Sequence, residues 1–290
     1  MNNIYTLVLE LFPQKTLNSI ERIGGMTNLN YLLDFGTDRY VLRIPNKGTN
    51  TFISRQNEMD NNIMAMNANL TPEILYIDSK SGIKITKYIE PIVPINNRIL
   101  KCNIKICEDI ILLIKKLHNS NIVFENTFSV FDMLKKYEIL AVSNGIVLKD
   151  MYIYVKNNYL HDLYHMYSSF NYTNKPCHND LVCENFIQDV NRKSYMLDWE
   201  YSGMNDPIWD LATIFLELQL NHKDEQKLLM LYYGGQFPRF TFKKIKIYQS
   251  LMDILWYLWA ELMCCYSVDY ADYGYNRLCR AKVTIERILK

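Results

Sequence analysis

The sequence has no excess of charge of either sign. Its 290 residues contain 32 Lys and Arg against 31 Asp and Glu, which leaves a formal net charge of +1. A balance of this kind produces no global field that would hold nucleic acid or an anionic membrane surface. We therefore expect neither nucleic acid nor membrane insertion, and the composition leaves the oligomeric state open.

Long apolar runs are also missing. The most apolar stretch, residues 251–266, is interrupted by Asp253 and Glu261 and is too short to cross ~30 Å of hydrocarbon. Residues 1–12 lack a basic n-region and contain Glu10, a pattern typical of a short amphipathic helix and not of a secretion signal. We expect a protein that is neither secreted nor membrane-spanning.

The cysteines show no motif of a disulfide framework or a metal site. The seven thiols include no C-x-x-C spacing, and the vicinal Cys264 and Cys265 are badly placed for an ordinary structural bridge. Free thiols fit a reducing compartment. We therefore expect a cytoplasmic location.

No internal repeat or low-complexity segment divides the chain, so its organisation follows from local patterns. Short β-like runs, one helical stretch and a proline-containing break fill the first part, and helical periodicity dominates from Lys101 onward. These patterns predict an α+β, bilobal fold with a small N-terminal lobe (residues 1–88) of antiparallel sheet plus helix and a large, mainly α lobe (89–290). The β-like runs and the helical stretch of the small lobe lie at 20–23, 31–33, 40–43, 52–70, 74–77 and 83–88.

The strongest chemical signal is the segment His178-Asn179-Asp180-Leu181-Val182-Cys183-Glu184-Asn185, with Asp198-Trp199-Glu200 after a short strand-turn-strand pattern. Phosphoryl transfer to an alcohol needs a carboxylate to orient the hydroxyl and take its proton, and oxygen ligands for Mg²⁺. Asp180 suits the first task. Asn185 and Asp198 suit the second, with Glu200 as a further metal-site candidate.

Each of these residues has a local explanation as well. Asn and Asp form turns through their own hydrogen bonds, and His178 would serve as a brace for the loop if it is not part of the catalytic set. The combined spacing, H-x-D-x-x-x-x-N followed by the acidic strand end, favours a phosphotransferase site over unrelated turns.

A second signal lies in the predicted small lobe. Gly24 and Gly25, with Thr27 and Asn28, form a turn whose backbone N–H groups and hydroxyl suit phosphate oxygens; an ordinary hairpin turn is the alternative. Arg43 and Glu58 stand where a kinase has its phosphate-binding lysine and the paired glutamate. Arginine changes the donor geometry but keeps the charge.

Four segments together resemble the choline kinases, in particular the bacterial LicA-type enzymes of the aminoglycoside phosphotransferase and protein-kinase-like superfamily. The resemblance runs along nearly the whole chain. It is carried by Gly24-Gly25-Met26-Thr27-Asn28, by Arg55-Gln56-Asn57-Glu58, by residues 178–186 and by the segment from Asp198 to Ala212.

This resemblance implies a protein-kinase-like fold and a Mg²⁺-dependent transfer from ATP to choline. It places the adenine of ATP against a hinge formed by Lys87, Tyr88 and Ile89. Choline would bind in the large lobe.

A quaternary ammonium group offers no hydrogen-bond donor, so a site holds it with aromatic faces and nearby carboxylates. Trp256 and Trp259 lie three residues apart on one predicted helix. They are core residues in the simpler interpretation, but that helix already has a full apolar face of leucine and isoleucine. We assign to the choline site Tyr201, Glu217, Trp256, Trp259, Tyr270, Tyr273 and Arg277.

Two acidic residues after the metal-site segment have structural interpretations. Asp210 follows Pro207 at a predicted helix start and is expected to cap that helix or brace the catalytic loop. Asp206 is expected to be a turn residue. Glu217 is placed near the ammonium group by the resemblance alone, and a solvated helix face is the alternative.

The sequence departs from the protein kinases and from the aminoglycoside kinases. Asp198-Trp199-Glu200 replaces D-F-G and no A-P-E segment follows, which argues against a protein substrate. A cage of aromatic residues does not suit a polyamine sugar. Choline kinase is therefore the predicted function, with an ethanolamine, thiamine or aminoglycoside kinase and a non-catalytic pseudokinase as the alternatives.

Overall fold

The computed structural model describes residues 2–25, 28–91, 95–265 and 270–290. Its N-terminal part contains one five-stranded antiparallel sheet with the strand order β1-β2-β3-β5-β4. The strands are β1 (Ser19–Arg22), β2 (Leu29–Asp34), β3 (Arg39–Ile44), β4 (Ile74–Ile77) and β5 (Lys84–Lys87). The predicted meander is confirmed.

One face of this sheet is closed by the N-terminal helix α1 (Asn2–Leu11). Val8 of that helix is fully buried together with Leu33, Leu42 and Ile85 from three strands. Alternate strand residues point to the same face, so each strand supplies this small core while its other residues turn to the opposite face. That opposite face carries Arg43 and Lys84, which are paired across β3 and β5.

The helix between β3 and β4, α2 (Arg55–Asn67), begins after the capping residue Ser54, whose Oγ accepts a hydrogen bond from the Asn57 backbone N–H at 3.3 Å. Its buried face is mainly polar. Asn61 Nδ2, for example, donates to the Ser202 carbonyl oxygen at 3.0 Å. This helix therefore ties the sheet region to the C-terminal part through hydrogen bonds.

Helices make up most of the remainder of the described chain. They are α3 (Asn97–Cys102), α4 (Ile104–His118), α5 (Val130–Ser143), α6 (Asp150–Ser168), α7 (Ile208–Leu218), α8 (His222–Tyr233), α9 (Thr241–Cys264) and α10 (Ala271–Ile288). The long helix α9 is buried on nearly all sides and packs against α5, α6, α7 and α10. This packing makes α9 the centre of the larger hydrophobic core.

Between α6 and α7 the chain forms two small antiparallel ribbons. β6 (Lys175–Cys177) pairs with β9 (Gly203–Asn205), and β7 (Phe186–Gln188) pairs with β8 (Ser194–Met196). The loops at the ends of these ribbons carry the motif residues. Their short strands explain why the sequence shows compact loop and strand signals there instead of a helix.

The α+β kinase-like architecture is confirmed, and the domain boundary at residue 88 stays a prediction. The small core of Val8, Leu33, Leu42 and Ile85 is separate from the larger one. However, Ala65 and Leu70 belong to the larger core although they precede residue 88. Among the described residues, no helix combines the length and the apolar character that a membrane span requires.

Candidate active site

A cavity of about 680 Å³ lies between the sheet and the helical part. Its walls combine glycine backbone, charged side chains and aromatic rings. Most of the predicted site residues line it: Gly24, Gly25, Asn28, Arg43, Lys87, Tyr88, Ile89, Asp180, Asn185, Asp198, Glu200, Tyr201, Trp256, Trp259 and Tyr273. The fold therefore brings together residues that are far apart in the chain.

The glycine turn after β1 forms one wall. Gly24 and Gly25 have φ angles of 43° and 103°, in the left-handed region that side chains disfavour. A Cβ atom on Gly25 would overlap the Asn28 carbonyl oxygen. Glycine is required there for the chain to make the turn. Thr27, predicted to belong to the same turn, lies outside the described residues.

Asn28 connects this turn to the opposite side of the cavity. Its side chain is only 3% exposed, and its Nδ2 donates to Asp198 Oδ2 at 2.9 Å. Its Oδ1 is buried without a hydrogen-bond partner among the residues that the structure describes. A buried polar atom in such a position gains from a ligand that donates to it or from an ion.

The far end of the sheet carries the predicted hinge. Lys87, Tyr88 and Ile89 line the cavity where β5 ends, and the guanidinium of Arg39 lies 4.7 Å from the Tyr88 ring centroid. Apolar side chains complete this wall, which suits a flat heteroaromatic ring. They include Ile23, Val41, Ile187 and Leu197.

Arg43 and Glu58 form a direct ion pair, as their predicted positions in a kinase imply. Arg43 also pairs with Asp198. Glu58 is held a second time by Arg55 Nη1 at 2.6 Å, and the same nitrogen lies 3.3 Å from Glu200 Oε2. Glu58 therefore positions Arg43 from behind and is not among the residues that line the cavity.

Lys84 is a cavity residue that the sequence analysis missed. It is 6% exposed, lines the cavity, and donates through Nζ to Asn62 Oδ1 at 2.9 Å. Burial, followed by the positive charge of Arg43, lowers its pKa to about 8. In the sequence, Lys84 is only a lysine in a β-like run. Its place in the cavity follows from the strand register, which sets it beside Arg43.

The loop after β6 is fixed by hydrogen bonds to Asp210 on α7. Its carboxylate accepts the His178 backbone N–H at 2.9 Å and the Asn179 backbone N–H at 2.8 Å. The same carboxylate lies 3.0 Å from His118 Nε2 on α4. Asn179 has a φ of 68°, a conformation that Asn tolerates better than most residues. Asp210 is thus a loop brace, one of its two predicted roles.

His178 lies behind the cavity. Its side chain is fully buried, its Nε2 lies 2.8 Å from the Leu197 carbonyl oxygen, and its ring packs on Trp199 at 4.9 Å between centroids. It is not among the lining residues. This placement favours a positioning role over the predicted catalytic one, because the ring reaches the cavity only through Leu197.

Asp180 faces the cavity with an unusual carboxyl group. Burial raises its pKa to about 7, and the negative charges of Asp198 and Glu217 act in the same direction. Asn185 Nδ2 lies 3.3 Å from Asp180 Oδ2 and 2.8 Å from the Asp180 carbonyl oxygen. A carboxyl group that titrates near neutral pH is suited to accept a proton during a reaction.

Asp198 has the opposite electrostatic character. Burial works against its charged form, but Arg43 and Lys84 outweigh burial and lower its pKa. The residue adopts φ 62°, which turns its carboxylate toward the cavity side of the loop. In contrast, burial and the neighbouring Asp198 raise the pKa of Glu200.

The donor set near Asp198 fits a hard divalent cation. Carboxylate oxygens of Glu58, Asp198 and Glu200 lie within 4.8 Å of one another, and oxygen ligands are those that Mg²⁺ prefers. Asn185 uses its Nδ2 to hold the Asp180 carbonyl, so its amide oxygen is left as an acceptor. Asp198 keeps further lone pairs in spite of its contacts with Arg43 and Asn28.

Aromatic rings line the other end of the cavity. Tyr201 lies 5.2 Å from Trp256, Trp256 6.2 Å from Trp259, and Trp259 6.1 Å from Tyr273, each pair edge to face. Both tryptophans are more than nine-tenths buried, yet they line the cavity. They are therefore core residues and cavity residues at once. Tyr270 packs on Trp259 at 5.0 Å and is not among the lining residues.

Glu217 and Arg277 pair with each other instead of lining the cavity. Arg277 Nη2 lies 2.5 Å from Glu217 Oε1, and Arg277 Nη1 lies 3.2 Å from Asp253 Oδ1. The guanidinium also lies 4.9 Å from the Tyr273 ring centroid. The Glu217 carboxylate does not line the cavity, although its charge acts on Asp180, and its predicted place near an ammonium group stays a prediction. These two residues support the aromatic wall from behind.

Asp206 has a larger role than the predicted turn. Its Oδ1 accepts the Ile208 backbone N–H at 3.0 Å at the start of α7. Its Oδ2 accepts from the Tyr248 hydroxyl at 2.6 Å and pairs with Lys244, both on α9. The carboxylate is thus a buried link between α7 and α9.

Comparison with known proteins agrees with this arrangement. A family model described as choline/ethanolamine kinase matches residues 20–232. Protein LicA of Haemophilus influenzae is 34% identical over 279 residues, which cover 92% of this chain and 79% of that protein. The LicA homolog of Mycoplasma capricolum is 28% identical and covers 80% of this chain and 86% of its own.

Solved structures give the same result. The choline kinase LicA from Streptococcus pneumoniae has 31% identity and a TM-score of 0.86 over 98% of this chain and 99% of its own. A LicA structure in complex with AMP has 32% identity and a TM-score of 0.85, covering 99% and 98%. An aminoglycoside phosphotransferase bound to GDP and kanamycin, at 15% identity and a TM-score of 0.70, shares the fold over 98% and 99%. The chain belongs to the choline/ethanolamine kinase family of phosphotransferases.

Proposed function

We propose that this protein is a choline kinase, which transfers the γ-phosphoryl group of ATP to the hydroxyl of choline. The observation that carries the proposal is one cavity whose walls combine a glycine turn, charged side chains and aromatic rings. Asp198 is bonded to Asn28 beside the glycine turn, and Asp180 is close enough to Tyr201 and Tyr273 for its charge to act on both hydroxyls. The carboxylate that would take the proton, Asp180, thus lies between the proposed phosphate-binding turn and the aromatic wall.

ATP is the proposed donor. The glycine turn and Lys84 would hold its phosphates, and the hinge at Tyr88 would face its base. The AMP in the related LicA structure supports a nucleotide at this position. Since ATP is available in the cytoplasm, we place the reaction there.

Mg²⁺ is the proposed metal ion, and Asn185 and Asp198 would hold it, with Glu200 next to them. When bound, the ion neutralises phosphate charge and favours the transfer. Asp198 is prepared for this role because Arg43 and Lys84 keep its carboxylate ionised. The proposal of Mg²⁺ rests on the side-chain oxygen atoms of these three residues.

The proposed transfer needs one base and a fixed geometry. The choline oxygen bonds to the γ-phosphorus, the bond from that phosphorus to the β–γ bridging oxygen breaks, and ADP leaves. The hydroxyl proton passes to the Asp180 carboxylate. Asn185 and the brace from Asp210 keep this carboxylate in place, so positioning carries a large part of the rate.

The aromatic end favours choline over ethanolamine as the acceptor. A primary ammonium group loses three hydrogen bonds to water and needs acceptors in return, whereas a trimethylammonium group needs only ring faces and a compensating charge. The Tyr201 hydroxyl is already bonded to Tyr137 at 3.1 Å. The Glu217 carboxylate is paired with Arg277. Asp180 would supply the compensating charge.

The test is ATP-dependent ADP release with choline, ethanolamine, thiamine and an aminoglycoside in parallel, with Mg²⁺ present. We expect kcat/KM for choline to exceed that for ethanolamine, and we expect Asp180→Ala to lower kcat more than tenfold. Asp162→Asn, a surface change on α6, is the matched control and should leave turnover unchanged. Trp256→Leu should raise KM for choline roughly two- to thirtyfold, the equivalent of one aromatic contact, with KM for ATP unchanged.

Each other result has a clear meaning. Preference for ethanolamine would keep the kinase and remove the choline assignment. Turnover with every acceptor that is insensitive to Asp180→Ala would remove the proposed base. No turnover with any acceptor would favour a pseudokinase.

A further inference from the structure

Two exposed histidines lie one helical turn apart on α6, outside the cavity. They belong to the segment His161-Asp162-Leu163-Tyr164-His165, within a helix of 19 residues. Residues four apart lie on the same face of a helix. The side chain of His161 is 82% exposed, and His165 is exposed as well. Neither ring has a part in the proposed phosphoryl transfer.

The two rings meet with the geometry of a chelate. His161 Nε2 and His165 Nε2 are 3.0 Å apart, and the rings are inclined by 73°. Nitrogens bound to one transition-metal ion at about 2.0–2.1 Å are separated by ~2.9 Å at right angles and ~3.4 Å at the tetrahedral angle. The observed separation falls inside that range. In the metal-free protein the two nitrogens share a hydrogen bond at this distance, and a metal ion bound between them takes the place of the shared proton.

The surroundings hold this pair in place. Leu163 between the two rings is fully buried, which fixes the rotation of the helix, and Tyr164 packs on Phe131 at 5.1 Å. Asp162 Oδ1 lies 3.8 Å from His161 Nδ1. This carboxylate adds a negative charge beside the pair, which favours a bound cation.

We propose that His161 and His165 form a binding site for one divalent transition-metal ion of the class that prefers imidazole, such as Ni²⁺, Cu²⁺ or Zn²⁺. Water would complete the coordination, since both rings face solvent. This site differs in chemistry from the oxygen donors around Asp198, which suit a hard ion. A bound ion joins two successive turns of α6 and stabilises that helix in the folded protein.

The probe is Ni²⁺ alone, titrated by calorimetry into the tag-free full chain in a non-coordinating buffer with excess Mg²⁺. The Mg²⁺ occupies the carboxylate sites, so that Ni²⁺ does not bind there. Any Ni²⁺ bound by cysteine thiols is the same in every variant, and the comparison between variants corrects for it. The parent should bind one equivalent, and His161→Ala and His165→Ala should each weaken binding at least tenfold. His222→Ala, which removes a surface histidine from α8, is the matched control and should bind like the parent.

Hydrogen exchange measured by mass spectrometry locates the ion. Ni²⁺ should slow amide exchange in the peptide that covers α6 in the parent and not in the His161→Ala/His165→Ala variant. Equal Ni²⁺ affinity in the parent and the double variant would overturn the proposal. So would a loss in only one of the two single variants, because that result describes a single ligand and not a chelate.

Discussion

At the residue scale, the environment of Asp180 shows how burial competes with charge. Burial raises its pKa to about 7, and Asp198 and Glu217 add to this rise, while Arg277 and the hydrogen bond from Asn185 lower it less. Burial therefore wins. The result is a carboxyl group whose proton is exchanged near neutral pH, unlike an ordinary surface aspartate.

This pKa predicts the pH dependence of turnover. A base accepts a proton only when it is ionised, so kcat/KM should rise about tenfold per pH unit below pH ~7 and level off above it. The measurement is kcat/KM for choline at constant ionic strength, from about pH 5.5 to about pH 8.5, a range that extends to both sides of neutral pH. A flat profile across that range would contradict the assignment of Asp180 as the base.

The same shift predicts a cost in stability. The folded chain holds the Asp180 proton up to pH about 7, whereas the unfolded chain releases it near the ordinary value of 3.8. Folding therefore favours the protonated form, and this group lowers stability as pH rises through that window. Asp180→Asn should thus melt above the parent at pH 8, with a gap that narrows toward pH 5. A gap that does not depend on pH would show that the cost has another origin.

Lys84 is the second residue whose charge should change within the pH range of an activity assay. Its pKa is lowered to about 8 by burial and by Arg43, and its hydrogen-bond partner, Asn62, is neutral. Arg43, by contrast, is already paired with two carboxylates. The charge of Lys84 is therefore the less compensated of the two and the more available to phosphate.

We expect Lys84→Met to raise KM for ATP roughly tenfold to a hundredfold, the range of one charged hydrogen bond. In the parent, KM for ATP should also rise as pH passes about 8 and the lysine loses its proton. Lys84→Met should lack this rise, and Lys84→Arg should move it beyond the measured range. The check is KM for ATP against pH for the three proteins, and an unchanged KM in Lys84→Met would exclude the phosphate role.

At the element scale, Asp210 joins three parts of the fold. It lies on α7, accepts two backbone N–H groups of the loop after β6, and meets His118 at the end of α4. His118 in turn lies 2.8 Å from the Tyr232 hydroxyl on α8. Three helices thus hold the loop after β6 through a single buried carboxylate.

Asp210→Asn tests this element. The amide replaces one acceptor oxygen by an N–H donor, so a buried backbone N–H of the loop loses its partner at a cost of about 1–3 kcal/mol. We expect the free energy of unfolding in urea to fall by that amount and kcat to fall while both KM values change little. Asp162→Asn, at an exposed position on α6, is the control. A normal kcat in Asp210→Asn would show that the loop holds its shape without this brace.

At the scale of the whole molecule, a cluster of paired charged side chains lies at and behind the cavity. Three acidic side chains meet three basic ones, and the members come from the sheet, from α2 and from the loops after β8: Arg43, Arg55, Lys84, Glu58, Asp198 and Glu200. Buried ions are tolerated only when they are paired in this way. The arrangement therefore does not depend on a metal ion for its charge balance.

Metal removal should consequently separate activity from folding. Treatment with EDTA should stop turnover, because the proposed transfer needs Mg²⁺ at Asn185 and Asp198, and should leave the protein folded, with only the small fall in melting temperature that loss of a bound ligand causes. Added Mg²⁺ should restore the rate. The measurements are ADP release and a thermal melt by circular dichroism, and a loss of structure on chelation would show that the acidic cluster needs an ion in order to fold.

Several features of this protein were determined by the sequence alone. The spacing from His178 to Asn185, the acidic segment at Asp198 and the glycine turn are each formed by neighbouring residues. Their chemistry depends on local order, which a sequence displays directly. The strand meander and the helical periodicity after residue 101 are local in the same sense, and the structure confirms both.

The contacts between distant elements were decided only by the tertiary structure. Asn28 and Asp198 are 170 residues apart in the chain and share a hydrogen bond, and register across β3 and β5 is what sets Lys84 beside Arg43. The pairing of Glu217 with Arg277 likewise follows from how α7 and α10 each pack on α9. A periodic pattern tells which face of an element is buried, but only packing in three dimensions selects the face that it meets.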